Sequence, residues 1–334
     1  MGVRRGIRFG VIALVLAVGS VLAACGGGTP PPEASESAFS ATEHPTLHTL
    51  AEADLEPVTL ELGEQIEKNE AFTTNAVTYT SGELSVTGAL SVPTTAGPHP
   101  GLVLVHGVVD PDVYVPGSGL VREQAHFARA GYIVLSTDLR NATAEPDSAA
   151  ALGIDLGSTL DVVNAVRALQ ASRIPTLDEQ RIGLMGHSLG GLLTLNTIVA
   201  KPALVEAAVA TAPASINPGD NVAYLTSTSG TTPTKVTEEY GTPESNPEFW
   251  SEMSPRGLVD RVEVPLLIAH GTADSIIPFE WSEMTVDVWR KAGKDVRFEA
   301  LEGEDHVFLE RWEEAMALTA KFLDAELSPS SPSR

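Results

Sequence analysis

The pentapeptide Gly186-His187-Ser188-Leu189-Gly190 constrains this chain more than any other stretch. It stands between an apolar run, Ile182 to Met185, and an apolar helical stretch that starts at Leu189. A serine at so tight a strand-to-helix turn must hold a strained backbone. The flanking glycines let neighbouring chain pass where a Cβ would clash. Such a turn lifts the hydroxyl out of the sheet, over a helix N-terminus that favours negative charge. A bare Gly-x-Ser-x-Gly is common by chance; between a strand and a helix it points to Ser188 as a nucleophile.

The apolar runs around it set the architecture. Leu102 to Val105, Ile133 to Leu135, Ala207 to Ala210 and Leu266 to Ala269 are short and apolar on both faces, which suits parallel strands covered by helices, and Val296-Arg297-Phe298 is the expected last strand. Ahead of them, Val77 to Thr80 and Leu84 to Thr87 alternate around Ser81-Gly82, a hairpin signature. Val162, Ala165, Val166 and Leu169 share one helical face after a Ser158-to-Asp161 capping pattern. Trp281, Met284 and Val288 repeat that spacing before Gly293, a left-handed stop. The expectation is an α/β fold: a mainly parallel sheet with antiparallel first strands and helices on both faces. Residues 214–258 break the alternation and are expected to form a small lid-like insertion over the carboxyl edge of the sheet. The expected catalytic domain is 76–327. Residues 46–75 read equally well as a short docked helix or as a linker, and 328–334 read as a disordered tail.

A serine hydroxyl is inert at neutral pH without a base. Of eight histidines, His44 and His48 lie in or near the linker and His99 in a Pro-rich turn. His126 sits in a presumed helix, and His187 is inside the pentapeptide with its side chain expected to point elsewhere. His106 and His270 end strands and are expected to brace loops. His306 remains, in Gly303-Glu304-Asp305-His306-Val307-Phe308, between the last strand and the last helix. Asp274, in His270-Gly271-Thr272-Ala273-Asp274, lies past the strand ending near Ala269 and is the expected acid. It would accept from the imidazole N–H and fix its tautomer. Asp260, Asp287 and Asp305 are the rivals. Charge on a substrate oxygen needs two N–H donors: Leu189, next to the nucleophile, and Val108, with Val109 close behind, in the loop after Leu102 to Val105.

The first 24 residues combine Arg4, Arg5 and Arg8 with an apolar run from Val11 to Ala24, which reads as a secretory signal too short for a comfortable membrane span. It ends Leu22-Ala23-Ala24-Cys25, which resembles the lipobox of bacterial lipoproteins; that resemblance implies lipidation of Cys25, the only cysteine, and attachment to the extracytoplasmic side of the cell membrane. Residues 25–45, rich in Gly, Pro, Ser and Thr, would be the tether. A net charge of −23 excludes nucleic acid as an expected partner.

Gly131-Tyr132-Ile133-Val134-Leu135-Ser136-Thr137-Asp138-Leu139-Arg140, Gly186 to Gly191, His270 to Pro278 and Asp305 to Phe308 together resemble the prolyl-oligopeptidase-like and dienelactone-hydrolase-like enzymes of the α/β-hydrolase superfamily. The resemblance runs from about residue 76 to 325. It implies the α/β-hydrolase fold and the roles nucleophile, acid and base for Ser188, Asp274 and His306. Asp138 and Arg140 are expected to tie loops together. The oligopeptidases' propeller domain has no room in the roughly 50 residues between Cys25 and Ala76. The expected activity is hydrolysis of carboxylic esters. The alternatives are a peptidase on short peptides and a lipoprotein that keeps the fold but only binds. No metal or organic cofactor is implied.

Overall fold

The computed structural model describes residues 44–110, 112–140, 148–230 and 232–328. The signal-like segment 1–24, Cys25, the tether up to residue 43 and the tail from residue 329 lie outside the described residues. The chain runs α1 (Leu47–Glu52), β1 (Leu60–Lys68), β2 (Phe72–Ser81), β3 (Leu84–Pro93), β4 (His99–Val105), α2 (Val121–Arg129), β5 (Ile133–Thr137), α3 (Leu156–Ala171), β6 (Leu177–His187) and α4 (Leu189–Ala200). It continues with β7 (Ala207–Thr211), α5 (Pro218–Ser229), α6 (Thr234–Tyr240), α7 (Pro247–Glu252), a 3₁₀ segment (Pro255–Arg261), β8 (Leu266–Gly271), α8 (Phe279–Lys291), β9 (Val296–Leu301) and α9 (Trp312–Glu326).

The strands form one nine-stranded sheet in the order β1-β2-β3-β5-β4-β6-β7-β8-β9. The β1–β2, β2–β3 and β3–β5 pairs are antiparallel, and every pair from β5 to β9 is parallel. Strand periodicity divides the apolar runs between two cores. In β4, Val103 and Val105 pack with α3, α4 and α8 on one face, whereas Leu102 and Leu104 pack with α2 and α9 on the other. Helix α4 is buried along all twelve residues, which is why its sequence is apolar all round.

Three local expectations change. Residues 46–75 belong to the fold. Thr46 caps α1 and donates to Glu252, Leu47 and Leu50 are buried, and β1 is an exposed edge strand. The sheet therefore starts at Leu60, ahead of the expected domain start at Ala76. The stretch read as tether to Pro45 is already packed at His44, whose ring lies 4.8 Å from that of Tyr240. Helix α3 is capped by Asp155, which accepts from Gly157 N–H at 3.0 Å, not by Ser158. Asp161 is instead fully buried and engaged by Arg140 at 2.7 Å, a use for a carboxylate that only tertiary packing creates.

Candidate active site

The parallel strands deliver the site to the carboxyl edge of the sheet, where chain crossing from strand to helix leaves a crevice. Ser188 follows β6, Asp274 follows β8, His306 follows β9 and Val108 follows β4. Ser188 holds φ 59° and ψ −121°, a conformation that a non-glycine residue keeps only when its surroundings impose it. They do so here. Its N–H donates to Thr211 at 2.9 Å, and its carbonyl accepts from Leu192 and Ala214, each at 3.2 Å. A Cβ on Gly190 would lie 2.1 Å from the Val105 carbonyl oxygen, so only glycine lets α4 start this close to β4. A Cβ on Gly107 would lie 2.8 Å from the Ser188 Cβ. The loop after β4 thus passes directly against the serine, in reach of any charge that forms there.

Asp274 and His306 meet at 2.7 Å, Oδ2 to Nδ1. With Nδ1–H donating to the carboxylate, Nε2 carries the lone pair, and His306 lines the same cavity as Ser188. The carboxylate is saturated. Oδ1 accepts from the N–H groups of Ile276 (2.8 Å) and Ile277 (2.9 Å), and Oδ2 also accepts from His270 Nε2 at 3.0 Å. Burial pushes the Asp274 carboxyl up, but these donors, His270 and His306 first, outweigh it and hold the group well below the usual carboxylate range. His270 Nε2 faces two acceptors, Asp274 and the Ile277 carbonyl, so it carries the proton and Nδ1 accepts from Ser282 Oγ–H at 2.7 Å. The expected bracing role of His270 is thus a specific one: it fastens the carboxylate that holds His306.

His187 points away from the turn at Ser188 but not away from the site. Its ring packs 4.6 Å from the His306 ring, and its Nδ1 bonds Thr211 at 3.1 Å. Burial, aided by His306, pushes its pKa down to about 3, so it is a neutral wall behind the imidazole. Asp305 turns out to serve its own loop, accepting from Val307 (3.1 Å) and Leu309 (3.0 Å) N–H. Asp287 pairs with Lys291 on the surface, and Asp260 lies in the 3₁₀ segment. Asp138 accepts from Tyr114, Thr87 and the Gly117 N–H, tying the loop after β4 to β3 and β5.

Ser188, Leu189, His306 and Val108 share a cavity of about 370 Å³. Its remaining walls are Ala151 and Leu152, Ala214, Asn221, Tyr224, Leu225 and Thr228 of the insertion, and Ile276, Ile277 and Trp281. Among the described residues, no Lys, Arg, Asp or Glu lines it. Tyr224 and Trp281 touch edge-on at 5.3 Å and join the insertion to α8. Of the four aromatics in the 214–258 insertion, Tyr224, Tyr240, Phe249 and Trp250, only Tyr224 lines the cavity. Tyr240 stacks on Phe249, and Phe249 and Trp250 fill a small core with Val236, Met253, Leu152 and Ile154. Trp281 carried no signal of its own beyond its helical spacing; it reaches the site because α8 starts next to the Asp274 loop.

The sequence profile of the prolyl oligopeptidase family matches residues 120–330, a span that includes Ser188, Asp274 and His306. The uncharacterized peptidase YtmA of Bacillus subtilis (strain 168) is 23% identical over 235 residues, 66% of this chain and 80% of that protein. The acylaminoacyl peptidase of Pyrococcus horikoshii superposes with a TM-score of 0.62 at 21% identity, over 79% of this chain but only 43% of its own. Acetyl xylan esterase 1 of Thermoanaerobacterium sp. JW/SL YS485 superposes with a TM-score of 0.65 at 18% identity, over 85% of this chain and 92% of its own. These structures share the α/β-hydrolase fold that the family resemblance implied, with the mainly parallel sheet that the apolar runs pointed to. The chain belongs to the prolyl oligopeptidase family and is a serine hydrolase.

Proposed function

We propose that this hydrolase cleaves uncharged carboxylic esters through an acyl-enzyme on Ser188. Ser188 Oγ attacks the ester carbonyl while His306 Nε2 takes its proton. The N–H groups of Leu189 and Val108 hold the oxyanion; that of Leu189, first in α4, has no intrahelical acceptor. Collapse returns the proton from His306 to the leaving alkoxide, freeing the alcohol. Water, deprotonated by His306, then attacks the acyl carbonyl; collapse expels Ser188 Oγ, which takes that proton back from His306, and the acid leaves. Asp274 keeps the imidazole in one tautomer and stabilises the imidazolium throughout.

The observation that carries the ester reading is the cavity wall. It is neutral and mostly apolar, so it suits an uncharged acyl group, and no described side chain in it could pair with a peptide's ammonium or carboxylate. An amide leaving group also demands prompt protonation in a held geometry, which a smooth apolar wall does not supply. The similarity to a protein named as a peptidase, YtmA, over 80% of its length, supports cleavage of short peptides as the second reading. Measuring kcat/KM on a matched ester and amide separates the two. We expect the ester to lead by well over tenfold. A ratio within about tenfold (~1.4 kcal/mol of barrier) favours the peptidase. The same proposal includes export and lipid attachment through Cys25, supported by the lipobox-like Leu22-Ala23-Ala24-Cys25.

A further inference from the structure

Loops that carry exposed Val, Leu and Ile run against the usual polarity of loops. Ten large apolar side chains are exposed among the described residues, and seven of them stand at one edge of the sheet. Val108, Val113 and Val115 lie in the loop after β4 and Val121 opens α2; Ile276 lies after β8, and Val307 and Leu309 after β9. They are 46% to 74% exposed. Val108 and Ile276 also wall the Ser188 cavity, so the apolar edge is continuous with the site.

The fold imposes this exposure. Asp305 takes the N–H groups of Val307 and Leu309 in a turn, Asp274 takes that of Ile276, and Asp138 pins Tyr114, which lies between Val113 and Val115. Outward apolar side chains on fastened turns are a surface ready for an apolar partner. Its charge selects the partner. Asp110, Asp112, Asp305 and Glu310 lie among these residues, whereas Arg122 is drawn over the Trp312 ring (4.3 Å) and Arg311 is held by Glu314 (2.6 Å). A net charge of −23 repels anionic surfaces and a second copy alike.

We infer that this edge docks on the surface of aggregated, uncharged esters and feeds them to the Ser188 cavity. The inference rests on the ester reading above, and its test separates the two. The full-length Cys25→Ser chain, in which no acyl anchor contributes, is assayed on p-nitrophenyl acetate in solution and on tributyrin below and above its solubility limit. The rate on tributyrin is expected to rise sharply at that limit. Val113→Ser/Val115→Ser/Leu309→Ser, none of which walls the cavity, should lose at least about fivefold above the limit (~1 kcal/mol). Its kcat/KM on p-nitrophenyl acetate should stay within about twofold, with an unchanged melting temperature. A smooth tributyrin curve, or equal loss on both substrates, overturns the inference. Droplet flotation reads the surface without turnover, so it still decides if neither ester is cleaved. Ser188→Ala/Cys25→Ser should float with triolein droplets coated in phosphatidylcholine, and the triple serine substitution should abolish this. Flotation only with phosphatidylglycerol-coated droplets, or dimerisation through this edge without flotation, overturns it too.

Discussion

Replacing His270 with leucine removes the buried hydrogen bonds of both ring nitrogens, and the two to Asp274 and Ser282 set the size of the effect. The Nε2–H bond to the Asp274 carboxylate (3.0 Å) is a hydrogen bond to a charged group, worth about 1.5–3 kcal/mol. Ser282, fully buried and bonded to Nδ1 at 2.7 Å, is left with its hydroxyl unsatisfied, at a cost of about 1–3 kcal/mol. His270→Leu should therefore lose roughly 4 kcal/mol in urea unfolding followed by tryptophan fluorescence. Adding Ser282→Ala should recover about 1–3 kcal/mol, because the stranded hydroxyl goes with it. The loss should also depend on pH. The Asp274 carboxyl is held below its unfolded value, so the stability it contributes is present above the unfolded carboxylate pKa (about 3.9). That stability is lost as pH falls towards the folded value. His270→Leu takes away one of the donors that hold it down, so the gap between wild type and variant should narrow from pH 7 to pH 3. His270 does not line the cavity, so kcat should fall roughly tenfold (~1.4 kcal/mol) with KM little changed. A gap that widens as pH falls, or further destabilisation on adding Ser282→Ala, would refute the reasoning.

Ser188→Ala and His306→Ala should each lower kcat roughly 10³-fold or more, and the double variant should be little worse, because such groups act as a unit; multiplicative losses would count against the assignment. Asp161→Ala leaves Arg140 without its buried partner and should cost about 3–5 kcal/mol in the same unfolding assay. Adding Arg140→Met should restore part of that, and no restoration means the pair is not the source. Cys25→Ser should abolish metabolic labelling by a fatty-acid analogue in cells; equal labelling of both chains rejects the proposed anchor.

What the sequence determined by itself is what local chemistry dictates. The Gly-x-Ser-x-Gly turn between an apolar strand and an apolar helix is legible because its steric demand falls within five residues, and Gly186 and Gly190 answer it. The strands from Leu102 to Ala269 are legible because burial on both faces leaves unbroken apolar runs, whereas β9 (Val296–Leu301) interrupts its run with Arg297 and Glu299 and is largely exposed. Asp274 and His306 were readable only as positions in chain order, since nothing local tells a ligand of imidazole from a turn aspartate. Their meeting at 2.7 Å is a property of how β8 and β9 lie side by side. Tertiary structure alone decided the rest. It placed His187 against His306, gave His270 to Asp274, and drew Tyr240, Phe249 and Trp250 into a core of their own while Trp281 took the cavity wall. It turned the undecided 46–75 stretch into a docked helix and an edge strand, assigned the α3 cap to Asp155, and gave Asp161 to Arg140. These choices rest on contacts between residues far apart in the chain, whose energies no local pattern encodes.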